Sequence, residues 1–360
     1  MILGIVVHSS ITFTSLKIFP WPIKDSDNHL FYDFVVLFIH SFRMPVFFVL
    51  SGFFAALLYN KKGFKETLKS RINRIVFPFL ASLILIAPLT NLLIMHYAKE
   101  ISWRELFDTV KNLTIYTHLK TGHLWFLYYL ILIYIICHIS KLAKPAFLIF
   151  LYKQIRKMIF IDAKSDYRTI LFFTTLSAFF IVPQYKGLLD TSLVFIPNFF
   201  ILLTYIVYFT FGYALFFSVE SLSHIFLNWK IHLFISLIVM FLYFFSFLNA
   251  QNNPSFIAVA VSSVLCSLLS WLMVFGLFGL FLNKFNHESK ILTLLSKSSY
   301  WIYLMHLPLT FFLGAVLLSV SIPHFVKCLI IIILTFVILI STYKLFVERK
   351  FIGRFLNGKK

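Results

Sequence analysis

Apolar runs of about twenty residues recur along almost the whole chain, and that length is what a helix needs to cross the hydrocarbon core of a bilayer. Ten such stretches are read, at 1–19, 34–58, 75–97, 122–141, 169–185, 198–218, 231–249, 255–283, 299–320 and 325–347. Backbone polar groups inside lipid must be satisfied within the segment, so these runs imply helices. The expected fold class is an all-α integral membrane protein, a polytopic bundle of about ten transmembrane helices forming one domain over residues 1–360. Charged residues are only 12% of the chain and the mean hydropathy is +0.91, whereas soluble domains carry about a quarter charged residues.

The formal charge of +19 would suit a nucleic-acid partner on a soluble surface. In a membrane protein the same excess is what the cytoplasmic loops collect, so nucleic acid is excluded and the lipid bilayer is the partner that composition demands. Lysine and arginine gather at Lys61–Arg74, Lys141–Arg168, Lys284–Lys297 and in the tail from Arg349 to Lys360. The intervening loops at 20–33 and 98–121 are leaner or mixed in sign. The asymmetry predicts both termini in the cytoplasm. The piece from Pro145 to Ile161 is apolar but broken by Lys153, Arg156 and Lys157, which predicts an interfacial helix.

No internal repeat of the kind that builds inverted-repeat transporters is evident. Cys137, Cys266 and Cys328 fall in apolar stretches with no paired or metal-binding spacing, so they read as buried thiols and no metal is expected. The first apolar run begins at Met1 with no basic region before it and no cleavage site after it. A short upstream segment is expected to be missing.

Polar residues inside such segments are costly and mark sites or helix contacts. Arg43 stands in the run His40-Ser41-Phe42-Arg43-Met44-Pro45, followed by Ser51 in Leu50-Ser51-Gly52. Such an arginine either ties helices through backbone carbonyls or faces a cavity. His8 in the first run and His306 in the ninth both lie roughly 10 Å above the cytoplasmic boundary, at about 1.5 Å per residue. They are placed to face one cavity together. Histidine suits general-base work near neutral pH, and an intramembrane histidine bonded to a carbonyl is the structural alternative.

His123 and Trp125 open the fourth run at its outer face. Together they offer an apolar ring face and N–H donors to a sugar, or else belong to an interfacial aromatic belt. Arg71 and Arg74 stand three apart, on one face of a helix, where two guanidinium groups can hold phosphates. No P-loop, Rossmann glycine pattern or Gly-x-Ser-x-Gly elbow is present.

These pieces, taken in order, resemble the acyltransferase-3 family of integral membrane acyltransferases, and within it the glucan-biosynthesis branch. The resemblance is carried by Leu3-Gly4-Ile5 through His8, Phe38 through Gly52, Arg71-x-x-Arg74 before Pro78, His123 through Leu127, and Tyr300-x-x-Tyr303-Leu304-x-His306. It implies transfer of an acyl group from cytoplasmic acyl-CoA, as succinyl-CoA or acetyl-CoA, to a carbohydrate beyond the bacterial inner membrane. It further implies periplasmic glucan or another envelope glycan as acceptor, with other glucan-biosynthesis proteins as partners and no permanently bound cofactor. His8 would be the base or acyl relay and Arg71 with Arg74 part of the donor site. Ser51, His123, Trp125, Tyr300 and His306 are expected to support the site or the acceptor. The family pattern also carries a basic residue upstream of the first histidine, which a chain opening at Met1 does not contain.

The chemistry matches these residue types. A sugar hydroxyl needs a positioned base to attack a thioester, a role for His8, and the oxyanion that forms needs a fixed donor, a role for Arg43. The expected function is thus glucan O-succinylation, with O-acetylation of another envelope polysaccharide, or non-enzymatic transport of an acyl group or glycan, as alternatives.

Overall fold

In the computed structural model the described residues are 1–16, 21–117, 119–143, 166–217, 226–287, 289–348, 350 and 353, the last four of 119–143 by backbone alone. Among them the chain is helical throughout. The elements are α1 (Ile2–Ser10), α2 (Leu30–Arg71), α3 (Phe77–Lys99), α4 (Trp103–Lys111), α5 (Trp125–Ala143), α6 (Asp166–Ile181), α7 (Phe199–Phe216), α8 (Trp229–Asn252), α9 (Phe256–Lys284), α10 (Lys290–Leu318) and α11 (His324–Thr342). Several begin where a capping side chain satisfies an N–H of the first turn. Asn198 accepts from Phe200 and Ile201 ahead of α7, and Ser255 from Ala258 ahead of α9.

Among the described residues seven helical segments are long and apolar enough to cross a membrane. The first is the continuous run Leu30–Lys99, which holds both stretches read at 34–58 and 75–97. This run is not straight. Gly63 adopts φ 71°, a left-handed value that glycine tolerates without steric cost. Beyond it the chain folds back, so that Arg71 Nη2 donates to the Phe54 carbonyl at 3.3 Å. In an unbroken helix those residues would stand about 25 Å apart.

The first expected span is shorter than read. The stretch 1–19 yields one 12-residue helical piece, Ile2–Phe13, about 18 Å long against a core of about 30 Å. It stops where its last carbonyls are taken by the following loop: Lys24 Nζ donates to Ile11 O at 3.1 Å, Asp25 N to Thr12 O at 2.9 Å and His29 N to Phe13 O at 3.0 Å. The stretch read at 169–185 is helical from α6 through the 3-10 turn Val182–Gln184, where Pro183 has no N–H to continue the ladder. The interfacial helix expected at Pro145–Ile161 lies outside the described residues.

Helices α2, α7 and α9 carry the main apolar core. Trp271 stacks on Tyr208 at 4.6 Å between ring centroids and donates its indole N–H to Ser177 at 3.0 Å. Gly52 and Gly212 sit at the α2–α7 crossing, each facing a backbone carbonyl of the other helix, Phe209 O and Val49 O, at a distance that leaves no room for a Cβ. On the other side α1 packs on α2, α10 and α11, and α3 packs on α10. A cavity lies between these two halves.

Candidate active site

The cavity has a volume of about 870 Å³. Helix periodicity delivers its polar lining in pairs. Gly4 and His8 are four apart on α1, His40 and Arg43 three apart on α2, and Tyr303 and His306 three apart on α10, so each pair shares a face. His123 and Trp125 come from the start of α5, and Trp21 from the loop after α1.

His8 and His306 stand 5.1 Å apart between ring centroids, and His306 and His123 5.8 Å. The shared cavity expected for the first two is therefore present. Hydrogen bonds fix the rings' tautomers. His306 Nδ1 donates to the carbonyls of Ile302 (3.0 Å) and Tyr303 (2.7 Å), which leaves Nε2 as an acceptor. His123 Nε2 donates to Leu304 O at 3.1 Å, and His40 Nε2 to Leu189 O at 2.6 Å. His8 differs, since its Nδ1 is buried with no hydrogen-bond partner.

Arg43 Nη1 is likewise buried and unpartnered. Gly4 makes room for it: a Cβ there would lie 3.1 Å from Arg43 Nη1 and 3.2 Å from His306 Nε2. The charged residues on the lining are Arg43, Lys99 and Lys120, with no aspartate or glutamate. A buried cation without a counter-ion is costly, and its unpartnered nitrogen is paired when an anion or a developing oxyanion comes within reach. Among the described residues no group of three or more His, Cys, Asp or Glu side chains is placed to hold a metal ion.

The depth of His123 departs from expectation. Tyr303 Oη donates to His123 O at 2.8 Å, and His123 binds Leu304, the midpoint of 29-residue α10 and roughly 20 Å from either end. The fourth run thus starts level with the other histidines rather than at an outer aromatic belt. Trp125 packs inward, its ring 5.2 Å from that of Tyr205.

Arg71, Arg74, Ser51 and Tyr300 lie off the cavity lining. Arg71 sits over the Tyr134 ring at 5.2 Å, and Tyr134 Oη donates to Ser51 O at 3.4 Å. Tyr300 Oη donates to Arg74 O at 3.0 Å, and its ring stacks on Tyr303 at 6.4 Å, which joins the arginine region to the cavity wall. The turn between the two arginines is not α-helical. Residues Ile72–Val76 form a π-helical turn, whose wider winding begins directly after Arg71.

Sequence reasoning passed over Trp21, His40 and Gly4 as site residues. His40 is three residues before Arg43, a spacing that could have found it. Trp21 stacks on His8 at 5.7 Å and donates its indole N–H to Thr12 at 3.0 Å, but it lies in a loop read as external, where no pattern marks it. The loop is fastened by Asp25, which pairs with Lys327 at 2.7 Å, and by Asp33, which accepts from the N–H groups of Ser15 (2.8 Å) and Leu16 (3.1 Å).

Apolar helices of this number define a multi-pass membrane protein, and its bundle holds a cavity lined by a histidine and an arginine with unpartnered nitrogens. A family model described as an acyltransferase domain matches residues 1–344, so the chain belongs to the acyltransferase-3 family and is an acyltransferase. That membership sets aside the transport alternative. Among curated relatives it is similar to glucans biosynthesis protein C of Escherichia coli strain K12 and of E. coli O81 strain ED1a, each 29% identical over 328 residues, 88% of this chain and 80% of the relative. The same protein of E. coli O6:K15:H31 strain 536 matches at the same identity and coverage. No solved structure matches the chain.

Proposed function

We propose that this enzyme moves an acyl group, succinyl foremost, from cytoplasmic acyl-CoA to a hydroxyl of periplasmic glucan across a bacterial inner membrane, with both chain termini in the cytoplasm. The observation that carries the reading is the pairing of two unpartnered groups, His8 Nδ1 and Arg43 Nη1, in one cavity. The name of the relatives supports glucan as the acceptor.

In the reaction His8 takes the proton of the attacking hydroxyl as the new C–O bond forms at the thioester carbon. The carbonyl oxygen becomes an oxyanion, which Arg43 stabilises in a site of low dielectric. The C–S bond then breaks, and the thiolate of CoA leaves with the proton held by His8. Arg71 and Arg74 hold phosphates of the donor, with the Tyr300–Tyr303 pair between them and the cavity. His123 and Trp125, with Trp21, present ring faces and N–H groups to the sugar.

The test is mass spectrometry of periplasmic glucan and envelope polysaccharide from cells lacking the protein, complemented with wild type or His8→Ala. Restoration of a succinyl increment on glucan by wild type alone is the expected result. An acetyl increment on another polysaccharide would rename donor and acceptor, and equal restoration by both forms would remove His8 from catalysis.

A further inference from the structure

The segment between α3 and α5 builds one wall of the cavity, yet part of it faces outward with an apolar surface. Its helix α4 has three faces. Leu106 is 3% exposed and Thr109, three residues on, lines the cavity, so this face meets the protein. Trp103, Phe107 and Val110, spaced i, i+4, i+7, are 63%, 69% and 43% exposed. Arg104, Asp108 and Lys111 repeat that spacing one residue on, about 100° around the helix, and are exposed as well.

The segment containing α4 lies along α3. The Trp103 ring lies tilted against His96 near the Lys99 end of α3, 4.1 Å between centroids, while Tyr116 Oη donates to Ile84 O at 3.2 Å. The segment therefore runs back along α3 for twelve residues, about 18 Å. Ile84 and Leu85 are themselves exposed on α3, within a run apolar enough to cross the membrane. The apolar flank of α4 continues that exposed apolar surface, with the charged flank beside it.

We infer that α4 seats Trp103, Phe107 and Val110 in the interfacial layer of the bilayer and so fixes the cavity wall formed by Thr109, Thr114, Lys120 and His123. An amphipathic helix of this make-up binds at the headgroup and acyl-chain boundary through its buried apolar area, with an indole suited to that depth. The inference stands whichever donor and acceptor the enzyme uses.

The experiment is fluorescence quenching on the full chain reconstituted in phosphatidylcholine vesicles, comparing wild type with Trp103→Phe so that the difference reports Trp103. The double variant Trp103→Phe with Phe107→Trp reports the same face one turn away from His96. Lipids brominated near the top of the acyl chain are expected to quench both reporters at least threefold more strongly than iodide in the water does. Quenching by iodide in preference to bromolipid would place the face in water and overturn the inference. Protection from both quenchers would mean that a second copy covers the face, and would overturn it equally.

Discussion

At the scale of single residues, the site holds two polar atoms that the fold leaves without partners, His8 Nδ1 and Arg43 Nη1. A buried unsatisfied group costs on the order of 1–3 kcal/mol, more when charged, so neither atom serves stability as it stands. Replacing Arg43 by Gln is therefore expected to lower acyl transfer by about 10²–10³-fold, the usual cost of losing an oxyanion donor. The melting temperature of the variant should hold or rise, because a buried charge is removed. A fall in melting temperature with acyl transfer intact would make Arg43 a helix tie and end its catalytic assignment. Gly4 belongs to the same arrangement, since its missing Cβ is what lets the guanidinium and the His306 ring approach α1 together. The polar residues in apolar runs were legible from the sequence as a set, because polarity inside lipid is expensive. Their tautomers and open nitrogens were not, because these depend on carbonyls such as Leu304 and Leu189 that lie far away along the chain.

At the scale of elements, helix contacts here rest on backbone proximity. Gly52 and Gly212 let α2 and α7 cross with their main chains touching, an arrangement that small residues permit between membrane helices. Gly212→Val forces its side chain into the Val49 carbonyl and is expected to cost on the order of 2 kcal/mol or more, read as a lower thermal unfolding midpoint in detergent. An unchanged midpoint would show that the crossing can open freely. Element type was legible nearly everywhere from apolar length alone. Element ends were less so. The first helical piece stops where Lys24, Asp25 and His29 take the carbonyls of Ile11, Thr12 and Phe13, and the run from 122 begins at mid-height of α10, both results of contacts between segments that local pattern does not encode.

At the scale of the whole molecule, the two halves of the bundle meet around the cavity, and the loop after α1 closes it from one side. That loop is held by a buried ion pair, Asp25 with Lys327 of α11 at 2.7 Å, and by Asp27, which accepts from the N–H of His324 at 3.1 Å. Asp25→Asn leaves Lys327 buried without its counter-charge, which costs about 3–5 kcal/mol when one partner of such a pair is removed. The expected readouts are a lower unfolding midpoint and reduced acyl transfer, since Trp21 and its stack on His8 depend on the loop; a variant as stable and active as wild type would remove the loop from the site's support. By itself the sequence determined that the chain is helical, that it enters the membrane many times, and which costly residues sit there, because apolar length and intramembrane charge are local properties with large free energies. Only the tertiary structure decided that His8, His40, His123, His306 and Arg43 share one cavity, that Arg71 and Arg74 stand outside it, and that the first expected span falls short. Those outcomes rest on turns such as Gly63 and on hydrogen bonds between segments remote in sequence, whose geometry no single stretch specifies.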